Sequence, residues 1–230
     1  MKITDKTLAI LKNFSDINQS LVLKEGNEIK TISPSKTVIA VAIIEEEIPS
    51  KAVIYDLKRM LPVLAIFEKP EIEFHDKYFV FSEGRRKTKY QFADESMVIA
   101  PPDKDIVIPD PDVVVDIEWK DFQSVIKAAG VLQLPDVAFV GENGKCYLRA
   151  IDSTLLVSAK EGREVSSDTF GVELGDTNDT FILVIRTENI KLMPNDYKVT
   201  LSSAGISKFE AENIKYFIAI ESKHSKYTKG

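Results

Sequence analysis

The strongest constraint on the fold is an internal repeat, because two halves of about 115 residues show the same order of helix, hairpin and β-prone runs. Ile10-Leu11-Lys12 aligns with Val125-Ile126-Lys127, and Leu57-Lys58-Arg59-Met60 aligns with Ile190-Lys191-Leu192-Met193. Each aligned segment places a lysine beside apolar residues of a predicted helix. A repeat of this length has the size of one domain, so the chain is predicted to contain two similar domains.

Helical periodicity predicts a first amphipathic helix from Asp5 to Phe14. A short helix is predicted from Asp56, its N-cap, to Leu61, because Pro62 is expected to limit its length. A hairpin turning at Glu25-Gly26-Asn27 is expected to join the first two strands of this half. The predicted strands are Leu21–Leu23, Ile29–Ile32, Thr37–Ile44, Ala52–Tyr55, Ile72–Phe74, Tyr78–Phe81 and Lys87–Phe92.

The second half repeats this order, beginning with an amphipathic helix from Trp119 to Ala129. A hairpin is predicted to turn at Glu142-Asn143-Gly144, because Asn-Gly is the strongest short hairpin signal. Thr187 is expected to cap a short helix from Glu188 to Met193, and the last nine residues are expected to fray. The predicted strands are Val137–Val140, Lys145–Ile151, Leu155–Ala159, Thr169–Leu174, Thr180–Ile185, Tyr197–Ser202, Ile206–Ala211 and Tyr216–Glu221.

A proline-rich segment separates the two halves. Residues 98–111 contain four prolines around two short apolar runs, a composition that favours extended chain over a helix or a central strand. The predicted organisation is therefore an N-terminal domain (1–97), an interdomain linker (98–111) and a C-terminal domain (112–230). The predicted fold class is α+β, with antiparallel sheets and two helices in each domain.

Charge and cysteine content limit the possible functions. The net charge is −6, which argues against a protein that binds nucleic acid by overall charge alone. One cysteine, Cys146, cannot form an internal disulfide, and no apolar run approaches the roughly 20 residues of a membrane helix. A reducing cytoplasm and no membrane association are expected.

The usual catalytic patterns are absent from the sequence. No Ser-His-Asp, HExxH, CxxC or GxGxxG arrangement appears, and His75 and His224 are the only histidines. We therefore expect a protein without catalytic residues or a cofactor. An enzymatic alternative is a metal-dependent nuclease that uses Asp176 and Asp179 with Asn178, because such side chains suit hard cations. A solvated acidic loop without metal is the preferred interpretation.

Several segments resemble the DNA polymerase sliding clamps of T-even-type bacteriophages. They are Leu-Lys-Asn-Phe at 11–14, Ile-Tyr-Asp-Leu at 54–57, Ile-Lys-Leu-Met-Pro-Asn-Asp-Tyr-Lys at 190–198 and Lys-Phe-Glu at 208–210. The resemblance spans essentially the whole chain. It implies a homotrimeric ring that encircles duplex DNA, tethers the replicative DNA polymerase and acts in the cytoplasm of an infected bacterial host.

The resemblance also implies further partners. An ATP-dependent clamp loader would open the ring, and RNA polymerase accessory factors would give it an additional role in late transcription. Simple geometry agrees with a trimer: six domains of about 30 Å leave a hole of about 30 Å, which admits duplex DNA, whereas four leave about 12 Å. The alternative function is a non-catalytic, β-rich virion or scaffold protein whose repeat serves assembly alone.

Lysines opposite the apolar helix stripes are the candidates to face DNA, because a mobile ammonium attracts phosphates without reading bases. The same pattern is also typical of a plain solvated helix face. The candidates are Lys12, Lys127, Lys58, Lys191, Lys6, Lys120 and Arg59.

Two other surfaces are implied by the resemblance. Subunits are expected to join by pairing the edge strands Lys87–Gln91 and Thr169–Leu174, and the charges of Arg85 and Arg86 complement those of Glu173 and Asp176. A plain hairpin with exposed basic residues is the alternative interpretation. The interface candidates are Arg86, Lys87, Lys89, Gln91, Thr169, Phe170, Val172 and Glu173. A hydrophobic partner peptide is expected beside the linker, at Val98, Ile99, Ile106 and Val107. The alternative is that these four are ordinary packing residues.

Overall fold

Helices packed on antiparallel sheets form both halves of the computed structural model, which describes residues 1–108, 110–155 and 168–230. The chain divides into two units. The first comprises Met1–Asp105 with Glu212–Lys215, and the second comprises Ile106–Ala211 with Tyr216–Gly230. The predicted α+β class is confirmed. Of the predicted strand Leu155–Ala159, residues 156–159 lie outside the described residues.

The first helix, α1, spans Asp5–Ile17, and its N-cap is Thr4, whose side chain accepts a hydrogen bond from the Thr7 backbone N–H. Ile10, Leu11 and Phe14 are at most 4% exposed, as the helical spacing predicts. The helix continues three residues beyond the predicted end because Ile17 extends the same buried stripe.

The strands of the first unit do not pair as the local pattern predicts. They are β1 (Leu21–Leu23), β2 (Gly26–Ile32), β3 (Val38–Ile48), β4 (Ala52–Ile54), β5 (Glu71–Phe74), β6 (Tyr78–Glu83) and β7 (Arg86–Gln91). The predicted hairpin between β1 and β2 is wrong, because β1 pairs with β4 and β2 pairs with β3. The β2–β3 turn is closed by Ser33, whose N–H donates to the Val38 carbonyl at 2.8 Å.

The second helix, α2, spans Leu57–Leu64 and is capped by Asp56, which accepts a hydrogen bond from the Arg59 N–H. The expectation that Pro62 would end this helix is wrong. Pro62 lacks the N–H that would donate to the carbonyl of Lys58, so the helix loses one hydrogen bond. Both residues are exposed to water. Burial of Met60 and Leu64 on the opposite side maintains the helix.

The second unit contains two antiparallel sheets. One has the order β11-β10-β9-β12-β16, and in the other β13 lies between β8 and β14. The elements are β8 (Val113–Ile117), α3 (Trp119–Val131), β9 (Asp136–Glu142), β10 (Lys145–Ile151), β11 (Phe170–Asp176), β12 (Thr180–Arg186), β13 (Tyr197–Ser202), β14 (Ile206–Glu210), β15 (Ile214–Ala219) and β16 (Lys226–Thr228).

The β9–β10 hairpin is confirmed, with Asn143 and Gly144 at φ 51° and 80° in the two-residue turn. Cys146 lies on β10 and is 4% exposed. Burial raises the pKa of its thiol to about 11. A buried thiol that stays protonated is a packing group rather than a reactive one.

The helix predicted from Glu188 to Met193 is wrong. A short 3-10 helix, Thr187–Asn189, is followed by non-helical chain. The Met193 N–H donates to the Tyr216 hydroxyl at 3.2 Å, and the Tyr197 hydroxyl donates to the Met193 carbonyl at 2.6 Å. The N–H and C=O of Met193, which would form backbone hydrogen bonds in a helix, are bonded instead to these two tyrosine hydroxyls. The second unit therefore has no helix at the position that corresponds to α2.

The expectation of a frayed C-terminal tail is also wrong. β16 pairs antiparallel with β12, with Phe181 opposite Tyr227. The Asp179 carboxylate accepts hydrogen bonds from the Tyr227 hydroxyl at 2.8 Å and from the Gly230 N–H at 2.9 Å. These contacts fix the last residues of the chain to the sheet.

Candidate nucleic-acid interface and sheet edges

In the first unit, α1 and α2 pack together and present basic residues on one side. Lys12 and Asp16 are four residues apart and therefore share one face of α1. Asp16 Oδ1 lies 3.5 Å from Lys58 Nζ, so α2 brings Lys58 to the same side. Lys12 and Arg59 are exposed and form no ion pair within the part of the chain that the structure describes.

Lys6 occupies a different face of α1, about 120° around the helix from Lys12 by the 3.6-residue period. Its Nζ lies 2.9 Å from Glu45 Oε1 on β3. The hydrogen bond to Glu45 raises the pKa of Lys6. The structure thus separates Lys6 from the group formed by Lys12, Lys58 and Arg59.

In the second unit, α3 places Lys120 and Lys127 on one face, because seven residues complete almost two helical turns. Both lysines are exposed. Lys127 Nζ donates a hydrogen bond to the neutral Gln123 side chain at 3.2 Å. Lys191 is exposed but lies in the non-helical chain after the 3-10 helix, so the predicted pair of helix-borne lysines, Lys58 and Lys191, does not exist.

Both strands predicted to meet between subunits lie at the edges of their own sheets. β7 is an outer strand of the sheet β5-β6-β7, and β11 is an outer strand of the five-stranded sheet. Of the candidates, β7 carries Arg86, Lys87, Lys89 and Gln91, and β11 carries Phe170, Val172 and Glu173, with Thr169 immediately before it.

Several charged residues near these edges already have partners within the chain. Arg86 pairs with Glu83, and Lys145 Nζ lies 2.8 Å from both Glu173 and Asp176. The hydrogen bonds that Lys145 donates to Asp176 and Glu173 raise its pKa. On β7, Lys89 Nζ lies 3.7 Å from the centre of the Tyr78 ring. Any pairing of Arg86 with Glu173 or Asp176 would therefore have to replace these existing contacts.

A cavity of about 220 Å³ lies where the linker passes the first unit. Its lining residues are Val22, Lys24, Glu25, Glu28, Lys30, Ala100, Pro101, Pro102 and Asp103. Lys24 pairs with Asp103, and Lys30 pairs with Asp105 at 3.3 Å. None of the four predicted peptide-contact residues lines this cavity, although Ile99 and Val107 are 44% and 73% exposed. Lys30 also pairs with Glu28 at 2.8 Å. Sequence reasoning missed the contacts with Asp103 and Asp105 because these residues lie more than 70 residues from their lysines.

The proposed ligands of the metal-dependent alternative have other partners in the structure. Asp176 forms an ion pair with Lys145, and the Asp179 carboxylate accepts hydrogen bonds from the Tyr227 hydroxyl and the Gly230 N–H. Across residues 1–108, 110–155 and 168–230 no group of three or more His, Cys, Asp or Glu residues could hold a metal ion. In the same residues no helix is long and apolar enough to cross a membrane.

Comparison with protein families gives two matches that together cover most of the chain. The family described as "DNA polymerase processivity factor" matches residues 2–100. The family described as "gp45 sliding clamp, C terminal" matches residues 114–222. The two matches fall on successive halves of the chain.

Individual relatives extend over nearly the full length. The sliding clamp of Vibrio phage KVP40 is 31% identical over 227 residues, covering 96% of this chain and 99% of the relative. The sliding clamp of Enterobacteria phage T4 is 30% identical over 228 residues, covering 96% and 97%. Among solved structures, A. fulgidus PCNA bound to the C-terminal region of FEN-1 is similar in fold, with a TM-score of 0.69 at 14% identity, covering 96% of this chain and 97% of that one.

Proposed function

The chain belongs to the sliding-clamp family of phage DNA polymerase processivity factors, and from that premise we propose that three copies close into a ring around duplex DNA. The chain is a sliding clamp, which acts on DNA in the host cell and catalyses no reaction itself. The alternative of a virion or scaffold protein is set aside, because the clamp relatives cover 96% of the chain.

The observation that carries the ring proposal is the edge position of two strands. β7 and β11 are outer strands of separate sheets, and each has backbone N–H and C=O groups on its outer side. Pairing β7 of one copy with β11 of the next would satisfy these groups and remove both exposed edges. Repeated around a three-fold axis, this heterologous contact closes the ring without leaving an unpaired β7 or β11.

The proposed DNA-facing residues are those carried by α1, α2 and α3. Lys12, Lys58 and Arg59 of the first unit and Lys120 and Lys127 of the second form the main set, with Lys6 and Lys191 outside these two groups. Lysines suit a sliding contact because they attract phosphates without fixed geometry or base readout. Enclosure retains the ring on DNA, so the net charge of −6 is compatible with this role.

We propose that partners reach the ring beside the linker, residues 98–111, which separates domains 1–97 and 112–230. The 220 Å³ cavity is a polar recess, and the exposed Ile99 precedes its lining residue Ala100 in the chain. Val107 of the second unit is a further exposed apolar side chain of the linker. A terminal peptide of the DNA polymerase is the proposed occupant. An ATP-dependent clamp loader would open the ring, and RNA polymerase accessory factors would use the same surface in late transcription.

Two measurements test the ring. Light scattering or native mass spectrometry should give the mass of three chains. Protein loaded by its clamp loader onto nicked circular DNA should remain bound, and it should leave when the circle is linearised. Retention on linear DNA with free ends would show that topological linkage is not the basis of binding.

A further inference from the structure

Two of the candidate DNA-facing residues in the first unit, Lys58 and Lys6, have carboxylate partners. Asp16 on α1 lies 3.5 Å from Lys58, and Glu45 on β3 lies 2.9 Å from Lys6. All four side chains are more than half exposed, at 60% for Lys58, 59% for Asp16, 76% for Lys6 and 53% for Glu45. Ion pairs in this setting are weak and screened by water, so a DNA phosphate can displace the carboxylate.

The corresponding helix of the second unit lacks this arrangement. Lys120 and Lys127 share one face of α3, and the polar partner of Lys127 is the neutral Gln123. Within the residues that the structure describes, neither lysine forms an ion pair. Lys6 and Lys58 therefore have acidic partners, whereas Lys120 and Lys127 have none among the described residues.

We infer that Asp16 and Glu45 act as built-in counterions that reduce the attraction of the first unit for DNA, so that α3 of the second unit supplies the stronger contact. This inference rests on the proposed DNA-facing role of the three helices. A phosphate that approaches Lys58 must replace Asp16, and the lost ion pair offsets part of the gain. A phosphate that approaches Lys127 replaces only small ions, and their release favours binding.

The inference predicts a specific salt dependence. Full-length protein is titrated with a fluorescent, blunt-ended short duplex, which can enter a ring from its end, between about 50 and 200 mM salt. Asp16→Asn should steepen the slope of log K against log salt by up to about 0.9 for each subunit whose Lys58 contacts DNA, because one more lysine of that subunit then exchanges a small ion for a phosphate. For each such subunit, the ratio of the association constant of Asp16→Asn to that of the wild type should be about three- to fourfold larger at the lower salt concentration than at the higher. Glu45→Gln should act in the same direction.

Asp76→Asn is the matched control, because Asp76 is an exposed acid at the β5–β6 turn and its loss changes the net charge equally. Lys58→Ala should reduce the slope less than Lys127→Ala. If Asp16→Asn behaves like Asp76→Asn while Lys127→Ala weakens binding, the counterion inference is overturned and the DNA-facing role stands. If no lysine variant changes binding, the DNA-facing assignment itself fails.

Discussion

The Asp179 carboxylate accepts a hydrogen bond from the Tyr227 hydroxyl at 2.8 Å across 48 residues of sequence. The same carboxylate accepts the Gly230 N–H, which together with the Tyr227 bond lowers the pKa of Asp179. The hydrogen bond to Asp179 raises the pKa of Tyr227. A short strand of three residues is thus held by one side chain at its end as well as by its pairing with β12.

Asp179→Ala is expected to release β16 while leaving the rest of the second unit folded. Both hydrogen bonds to Asp179 are lost, while the short β12–β16 pairing, the Phe181–Tyr227 ring contact and the hydrogen bond from the Val184 N–H to the Ser225 hydroxyl remain. Amide hydrogen exchange at residues 226–228 should accelerate. Tyr227→Phe is the milder control, because it keeps the ring contact with Phe181 and the Gly230 bond. Unchanged exchange in both variants would show that pairing alone holds the strand.

Asp136→Ala should destabilise the second unit by roughly 3 kcal/mol. Asp136 is 0% exposed, accepts a hydrogen bond from the Ser153 N–H at 3.1 Å and lies 3.6 Å from the Arg186 guanidinium. Its removal leaves Arg186, which is only one-third exposed, without its buried partner. Urea unfolding measures the loss.

Glu221→Gln is the control for the Asp136 variant. Glu221 contacts the same Arg186 at 3.8 Å but is 31% exposed, so its loss should cost less than about 1 kcal/mol. Equal effects of the two variants would contradict the importance of burial at Asp136.

Lowering the pH should remove the contribution that the Glu46 carboxylate makes to the stability of the folded state. Burial alone would raise the pKa of this carboxyl, but hydrogen bonds from the Thr7 hydroxyl and the Thr4 N–H outweigh it and lower the pKa below its ordinary value of 4.5. The folded state therefore binds its proton at lower pH than the unfolded state. The contribution is present above pH 4.5 and is lost as the pH falls through the lowered folded pKa.

The corresponding experiment compares the wild type with Glu46→Gln. The variant should be about 1–2 kcal/mol less stable at neutral pH, and this difference should shrink as the pH falls below 4.5. Chemical denaturation at a series of pH values measures both quantities. A difference that stays constant through the acid range would show that the carboxylate charge is not responsible.

Lys89→Pro should weaken the proposed ring without unfolding the first unit. β6 and β7 meet in a two-residue hairpin that pairs Glu83 with Arg86, and the alternation of an antiparallel ladder then directs the Lys89 N–H away from β6. Proline removes that outward donor, so the trimer should dissociate about tenfold more readily. Sedimentation at a series of concentrations measures this. Lys89→Ala keeps the N–H and should remain trimeric, and equal dissociation of both variants would implicate the side chain instead.

Local sequence patterns were sufficient to predict those parts of the structure that depend on residues close together in the chain. The α1 and α3 stripes and the Asn143-Gly144 turn were predicted correctly, because helix periodicity and turn conformation are encoded within a few residues. The β1–β2 hairpin was wrong because β4, about 30 residues later, is the actual partner of β1. The 190–193 helix was wrong because the hydroxyls of Tyr197 and Tyr216 bind the Met193 backbone.

In the candidate site, too, features set by neighbouring residues were predictable and features set by distant residues were not. Helical spacing identified Lys12, Lys120 and Lys127 as exposed residues opposite the core. Their electrostatic surroundings depend on long-range packing, which spacing does not reveal, and Glu45 reaches Lys6 across 39 residues. Asp16 was within reach of sequence reasoning, since it lies one turn after Lys12, but its contact with Lys58 depends on how α1 and α2 pack.

The protonated thiol of Cys146, buried on β10, has a practical consequence. The chain contains no other cysteine, so thiol-directed reagents meet no accessible native site on the folded protein. A cysteine introduced at one sheet edge can then carry a single fluorophore or crosslinker without first mutating the native residue. Distances between neighbouring copies, and the opening of a closed assembly over time, become measurable in a protein whose core is unchanged.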